Sequence, residues 1–169
     1  LIRPQKHVDH RGFYSEVFNK HDYSEIIPGI DFVQDDQSFS IKKGIVRGLH
    51  FQMAPFAQDK LVRVIRGAIF DVAVDIRKNS PTYGAYFKVE LNDINRYQLW
   101  IPRGFAHGFV VLSDSAIFCY KCDNFYNKAS ERGLRYDDPY LGIDWRLPTT
   151  ELVVSEKDLK LPTLSTLIL

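Results

Sequence analysis

His50 lies in GIVRGLHFQ (44–52), an apolar run with Arg47 and Gly48 just ahead of it, and His107 closes PRGFAH (102–107). Histidine is the side chain whose ordinary pKa lies closest to neutrality, so each is a candidate base, proton shuttle or metal ligand. Each is equally a candidate core histidine with its ring nitrogens satisfied. Cys119 and Cys122, in IFCYKC, have the C-x-x-C spacing of zinc and redox sites. Zinc needs two further ligands, and none lies nearby in the sequence. On an extended strand a spacing of three sends the thiols to opposite faces, so buried, inert thiols are the expectation. His7, His10 and His21 fall in polar stretches and are expected to be solvated.

The elements that must position these groups are short β-runs. Strands are expected over 32–40, 44–51, 60–67, 68–77, 85–91, 96–101, 107–112 and 116–122, separated by turn signals such as Asn79-Ser80-Pro81, Asn92-Asp93 and Pro102-Arg103-Gly104. Helix is sparse: one short segment over 21–27 and another after Ser155. So many strands at regular intervals predict an all-β sandwich or barrel. In AIFDVAVDIR (68–77), Phe70, Val72, Val74 and Ile76 alternate with Asp71, Ala73 and Asp75. A mid-strand Asp with apolar neighbours either faces solvent or points into a polar cavity.

The 169 residues predict a single domain, 1–169, with room for a real core. Lys+Arg 22 against Asp+Glu 21 leaves a net charge of +1, without the basic excess that a general nucleic-acid or membrane-surface binder needs. No apolar run approaches a membrane span, and LIRPQKHVDHRG is too polar for a signal peptide. The cytoplasm is the expected location. The chain opens on Leu1 rather than Met, and a few residues are expected to precede it.

Two segments resemble the paired motifs of the cupin fold, a double-stranded β-helix of the jelly-roll type. Gly44, five residues, His50, Phe51 and Gln52 resemble the first motif, with Gln52 in place of its second His and no Glu before Gly67. Pro102-Arg103-Gly104-Phe105-Ala106-His107 resembles the second motif in full. Two of four usual metal ligands remain, and a transition-metal site needs three or more converging donors, so no metal is expected.

RGLHFQ (47–52), KLVRVIRGAIFDVAVDIR (60–77), SPTYG (80–84), QLWIPRGFAHGFVVLSD (98–114), YKC (120–122), DDPYLGIDW (137–145) and SEKD (155–158) occur in that order. Together they resemble the dTDP-4-dehydrorhamnose 3,5-epimerase family over essentially the whole chain. The resemblance implies an all-β, cupin-type jelly roll with a few short peripheral helices. It also implies a cofactor-free, metal-independent homodimer that inverts C3 and C5 of a dTDP-4-keto-6-deoxysugar.

Chemistry sets the roles. C3 and C5 both flank the C4 ketone, so one carbonyl acidifies both C–H bonds. Abstraction needs a base poised near neutral pH, and the enolate needs a cation or donor at its oxygen. Inversion needs a second group on the opposite face, because a lone base returns the proton to the face it came from. By the resemblance, His50 is the base, Asp158 the carboxylate that orients it, Tyr120 the proton donor and Lys60 the enolate's partner. Lys60 then supplies the charge that a metal supplies in other cupins.

Each role has a structural rival. Ser155-Glu156-Lys157-Asp158 reads equally as a helix cap, Tyr120 as a core aromatic and Lys60 as a solvated strand end. For the substrate, Arg47 is placed to hold a diphosphate bidentately. Arg11, Phe13, Glu16, Gln34 and Tyr126 match substrate-contacting positions of the family, Arg11 across a dimer interface. Asp36 stands in VQDDQS where family members commonly carry Asn. His107 is expected to support the site, with Asp71 as its partner. Rival functions are a C3 or C5 mono-epimerase, a metal-dependent cupin oxygenase and a catalytically silent sugar-nucleotide-binding jelly roll.

Overall fold

Period-two alternation places one face of each strand toward an interior, and the computed structural model, which describes residues 1–168, shows two such interiors. The main strands in chain order are β3 (Gln34–Ser40), β4 (Val46–Gln52), β5 (Lys60–Arg66), β6 (Ala68–Asp75), β7 (Tyr86–Asn92), β8 (Gln98–Ile101), β9 (Phe105–Val111) and β10 (Ala116–Cys122). A hairpin of β1 (His7–Asp9) and β2 (Gly12–Tyr14) precedes them, with helix α1 (Lys20–Ile26) between. The short strand β11 (Glu131–Gly133) and helix α2 (Glu156–Leu159) follow.

Eight of the eleven strands coincide with predicted runs to within two residues. The three-residue strands β1, β2 and β11 carry too few residues to show alternation and were not foreseen. The first helix matches; the one after Ser155 is a single four-residue turn.

The strands form two antiparallel sheets, ordered β3-β10-β5-β8 and β11-β4-β9-β6-β7. Their inner faces meet at Val62, Val64, Ile69, Ala73, Phe109, Val111 and Phe118. This is the jelly-roll architecture of the cupins. The opposite face of the second sheet packs Val46, Leu49, Phe70, Val72, Val74 and Val110 beneath Leu134, Leu141, Trp145 and Leu164 of the C-terminal segment. Complete burial of one such aliphatic or aromatic side chain contributes about 1.5–3 kcal/mol. Strand β6 is therefore buried on both faces, and its acids are not solvent-facing: Asp71 is 0% and Asp75 1% exposed. No helix among the described residues is long and apolar enough to cross a membrane.

Asp75 closes the end of β6. Its carboxylate accepts from Arg77 Nε (2.9 Å) and Nη2 (2.7 Å), Ser80 Oγ (2.6 Å) and Thr82 Oγ1 (2.6 Å). The Arg77 hydrogen bond leads in holding its pKa far below the ordinary 3.8, burial opposes, and the two hydroxyls add to the lowering. A carboxylate depressed on folding stabilises above its unfolded pKa and loses that contribution as pH falls toward its folded value. Asp75→Ala is expected to cost about 2–4 kcal/mol in denaturant melts at pH 7. The gap from the unsubstituted protein should narrow once pH drops below 3.8.

Candidate active site

The two histidines share one rung of the second sheet: His50 on β4 pairs with His107 on β9, just after an irregularity between Arg47 and His50. Gly48 makes that irregularity possible. Its φ is +108°, and a Cβ there would stand 2.5 Å from the His107 carbonyl oxygen, so only glycine lets β4 lie this close to β9.

Asp158 arrives from α2. Ser155 Oγ accepts from the Asp158 backbone N–H (3.1 Å), so the cap exists. The Asp158 carboxylate instead crosses to His50, with Oδ1 2.7 Å from Nε2, and Oδ2 accepts from the Gly48 N–H at 3.5 Å. The helix cap and the His50–Asp158 contact therefore coexist. A carboxylate only accepts, so His50 Nε2 carries the proton and Nδ1 keeps its lone pair. Burial works to raise the Asp158 pKa, but the His50 hydrogen bond and charge, then the Gly48 and Ser155 contacts, hold it below 3.8.

Lys60 and Tyr120 come from the facing sheet, on β5 and β10, with Lys60 Nζ 5.8 Å from the centre of the Tyr120 ring. Lys60 points inward in the same alternation as Val62 and Val64, so it is not a solvated strand end. It is half-buried and lines a cavity between the sheets. Desolvation pulls its pKa down against the partial support of Cys122, Asp36, Glu131 and Asp71. Burial, then Asp36 and Cys122, push the Tyr120 phenol well above 10.0, with Arg47 opposing. Tyr120 is thus held protonated throughout the physiological range, the form a proton donor needs.

His50, Lys60 and Tyr120 together border two chambers of about 500 Å³ and 200 Å³. The larger also takes in Ser38, Arg47, His107, Lys157 and Asp158. The smaller takes in Gln34, Asp36, Gln52, Tyr126 and Glu131. Buried His107 donates through Nε2 to Asp71 Oδ2 (2.9 Å), the predicted pairing. Arg47 lies at the rim, donating to Ser40 Oγ (3.1 Å) and the Phe39 carbonyl (3.3 Å) with the rest of its guanidinium exposed. Gln34 joins the smaller chamber's wall, donating to Asp36 Oδ2 (2.5 Å) and accepting from the Tyr126 N–H (2.9 Å).

The donor set does not fit a metal ion. Gln52 uses its amide on the Phe56 and Phe125 carbonyls (2.7 and 3.2 Å) and the Asn127 N–H (2.6 Å). Each histidine's Nε2 is committed to a carboxylate, and the described residues contain no group of three or more His, Cys, Asp or Glu arranged around one point.

Arg11, Phe13 and Glu16 are not brought to this cavity within one chain. Arg11 pairs with Asp9 on the exposed hairpin (2.6 Å), Phe13 lies under the Arg96 guanidinium (4.0 Å), and Glu16 accepts from Asn19 (3.1 Å). Cys119 is partly exposed, correcting the expectation that both thiols are buried, because it faces the outer side of the first sheet; Cys122 is buried. His7, His10 and His21 are exposed as expected.

The cavity also takes in polar residues that the sequence does not single out, among them Glu131, Ser38 and Lys157. Glu131, on β11, binds Lys157 Nζ (2.6 Å) and accepts from the Tyr126 hydroxyl (3.2 Å). Ser38 Oγ is buried without a partner among the described residues. Lys157 was discoverable as the neighbour of Asp158, and Ser38 by its alternation with Gln34 and Asp36; a lone Glu at the start of a three-residue strand gave no signal.

A jelly roll carrying a His–Asp pair on one wall, with a protonated phenol and a lysine that makes no ion pair among the described residues on the other, defines an acid–base enzyme of the cupin superfamily. The family model described as dTDP-4-dehydrorhamnose 3,5-epimerase matches residues 1–166, and the chain belongs to that family. It is 51% identical over 164 residues to the dTDP-4-dehydrorhamnose 3,5-epimerase of Sinorhizobium fredii, covering 97% of this chain and 84% of that one. It superimposes with a TM-score of 0.93 on the Legionella pneumophila dTDP-6-deoxy-D-glucose-3,5-epimerase, solved in complex with dTDP-4-keto-L-rhamnose. That pair is 46% identical over 98% of this chain and 87% of the other. A more distant relative, 38% identical over 93% of this chain and 75% of its own length, is the dTDP-4-dehydrorhamnose 3-epimerase of Streptomyces niveus.

Proposed function

We propose that this chain, acting as one epimerase domain over 1–169, converts dTDP-4-dehydro-6-deoxy-D-glucose to dTDP-4-dehydro-L-rhamnose by successive inversion at C5 and C3. The reading rests on one observation: the His50–Asp158 pair, 2.7 Å apart, faces Tyr120 and Lys60 across a single cavity. His50 Nδ1 takes the proton from the carbon beside the C4 ketone, and Asp158 stabilises the imidazolium that forms. The Lys60 ammonium binds the enolate oxygen, a charge developed in the transition state inside a water-poor wall. Tyr120 delivers its phenolic proton to the opposite face, and solvent restores both groups to their starting state.

Arg47 holds the diphosphate, Tyr126 offers a ring face to the nucleotide, Gln34 and Asp36 line the path between them, and His107 braces the sugar end. We assign Arg11, Phe13 and Glu16 to the partner's cavity in a homodimer. The hairpin that carries two of them projects with Val8 75%, Phe13 45% and Tyr14 66% exposed, an apolar surface suited to an interface. If Arg11 acts in trans, mixing inactive Arg11→Ala and His50→Ala chains restores about a quarter of the unsubstituted activity, because half the dimers carry one complete site. If it acts in cis, no heterodimer has a complete site and activity stays at baseline.

The reaction is tested by following the substrate by proton NMR. Two inverted centres support the 3,5-epimerase. One inverted centre makes the chain a mono-epimerase, and tight binding without turnover makes it a sugar-nucleotide-binding module.

A further inference from the structure

Lys60 is a charged group inside the barrel that makes no hydrogen bond and no ion pair among the described residues. Its nearest aromatic contact is the Tyr120 ring, 5.8 Å away. The charged and titratable groups that share its cavity come from six strands, α2 and the segment before β11: Asp36 on β3, Arg47 and His50 on β4, Asp71 on β6, His107 on β9, Tyr120 and Cys122 on β10, Tyr126 in that segment, Glu131 on β11, and Lys157 and Asp158 on α2. Three of the four carboxylates already have cations or donors of their own, Asp158 being bound to His50 (2.7 Å). Asp71 is held by His107 (2.9 Å), and Glu131 is held by Lys157 (2.6 Å) and the Tyr126 hydroxyl.

Asp36 differs. Its contacts are neutral: the Gln34 amide at 2.5 Å and the Cys122 thiol, with Sγ 4.0 Å from Oδ2. Register brings it to Lys60. Asp36 stands opposite Tyr120, and the next inward residue of β10, Cys122, stands opposite Lys60. The Asp36 charge is thus uncompensated by any direct cation and lies one side chain away from an ammonium in the same state.

We infer that Asp36 is the counter-charge of Lys60, a positioning residue that keeps the ammonium charged while leaving its N–H bonds free for substrate. Direct pairing would quench the donor that the enolate oxygen requires. A carboxylate behind a thiol supplies the field without occupying the donor. Gln34 fixes the carboxylate toward the cavity wall, so the arrangement is set before substrate enters.

The inference rests on the role proposed for Lys60, and its test has a readout that needs no catalysis. The Lys60 side chain is titrated by 13Cε NMR in the full chain, the signal being assigned by its loss in Lys60→Met. In Asp36→Asn the midpoint is expected to fall by about one pH unit, and in Asp36→Glu it returns most of the way. Circular dichroism melts verify that each variant is folded. In solvent exchange, the basic limb of the Asp36→Asn profile moves down with that midpoint. A Lys60 midpoint in Asp36→Asn indistinguishable from that of the unsubstituted protein overturns the inference. Absence of exchange in the unsubstituted protein overturns the epimerase reading instead, while the titration still decides whether Asp36 is the counter-charge.

Discussion

His50→Ala is expected to abolish exchange of the substrate's C3 and C5 hydrogens with solvent, lowering turnover by at least about 10³-fold. His50 borders both chambers, and His107, its cross-strand partner in the larger one, is buried with Nε2 committed to Asp71 and so is a poor substitute. Binding should change little, because Arg47 and Tyr126 approach the cavity independently of the ring. Asp158→Asn isolates the orienting role. The carboxamide presents either a donor or an acceptor to Nε2, so the ring loses the fixed tautomer that frees Nδ1 and the anion that stabilises its charged form. A loss of about 10²–10⁴ in kcat with a nearly constant KM is expected. Both effects are read from deuterium incorporation by NMR; near-normal incorporation in His50→Ala contradicts the assignment of the base.

Tyr120→Phe is expected to separate two events that the unsubstituted protein couples. The ring stays, still packed on Phe118 (5.6 Å between centres), and only the hydroxyl is removed. His50 can still take the proton, exchange it with solvent and return it to the same face. Deuterium should therefore enter the recovered substrate with its configuration retained, while inversion falls by about 10²–10⁴-fold. Because burial leads in pushing the phenol well above 10.0, Tyr120 remains an acid across neutral pH and contributes no limb to the profile there. Inversion at an unchanged rate would remove Tyr120 from the mechanism.

Much of this arrangement is legible in the sequence. Long runs such as KLVRVIRG and AIFDVAVDIR alternate strongly enough to place β5 and β6. The motif spacing singles out His50 and His107, but their shared rung is a long-range pairing that neither motif states. The face of β6 that carries the acids was ambiguous, because alternation reports sidedness but not what covers each side. Only the C-terminal segment, packing Trp145 and Leu164 over Phe70 and Val72, explains why Asp71 turns inward. The Asp158 contact is long-range, 108 residues from His50, and local sequence favours the cap that also forms. Arg11, Phe13 and Glu16 lie apart from the cavity of their own chain, and the shared site proposed for them would leave no trace in the packing of one chain. Glu131 shows the other limit: a strand of three residues has too little pattern to announce which way its side chains point.

In the proposed mechanism, protons leave one face through His50 and arrive at the other from Tyr120. A single turnover of dTDP-4-dehydro-6-deoxy-D-glucose in D2O, quenched and resolved by NMR at C3 and C5, tests it most directly. Solvent deuterium at both carbons, each in the inverted configuration, is the predicted result. Inverted product that keeps the substrate's own hydrogen at either carbon would contradict the two-face mechanism.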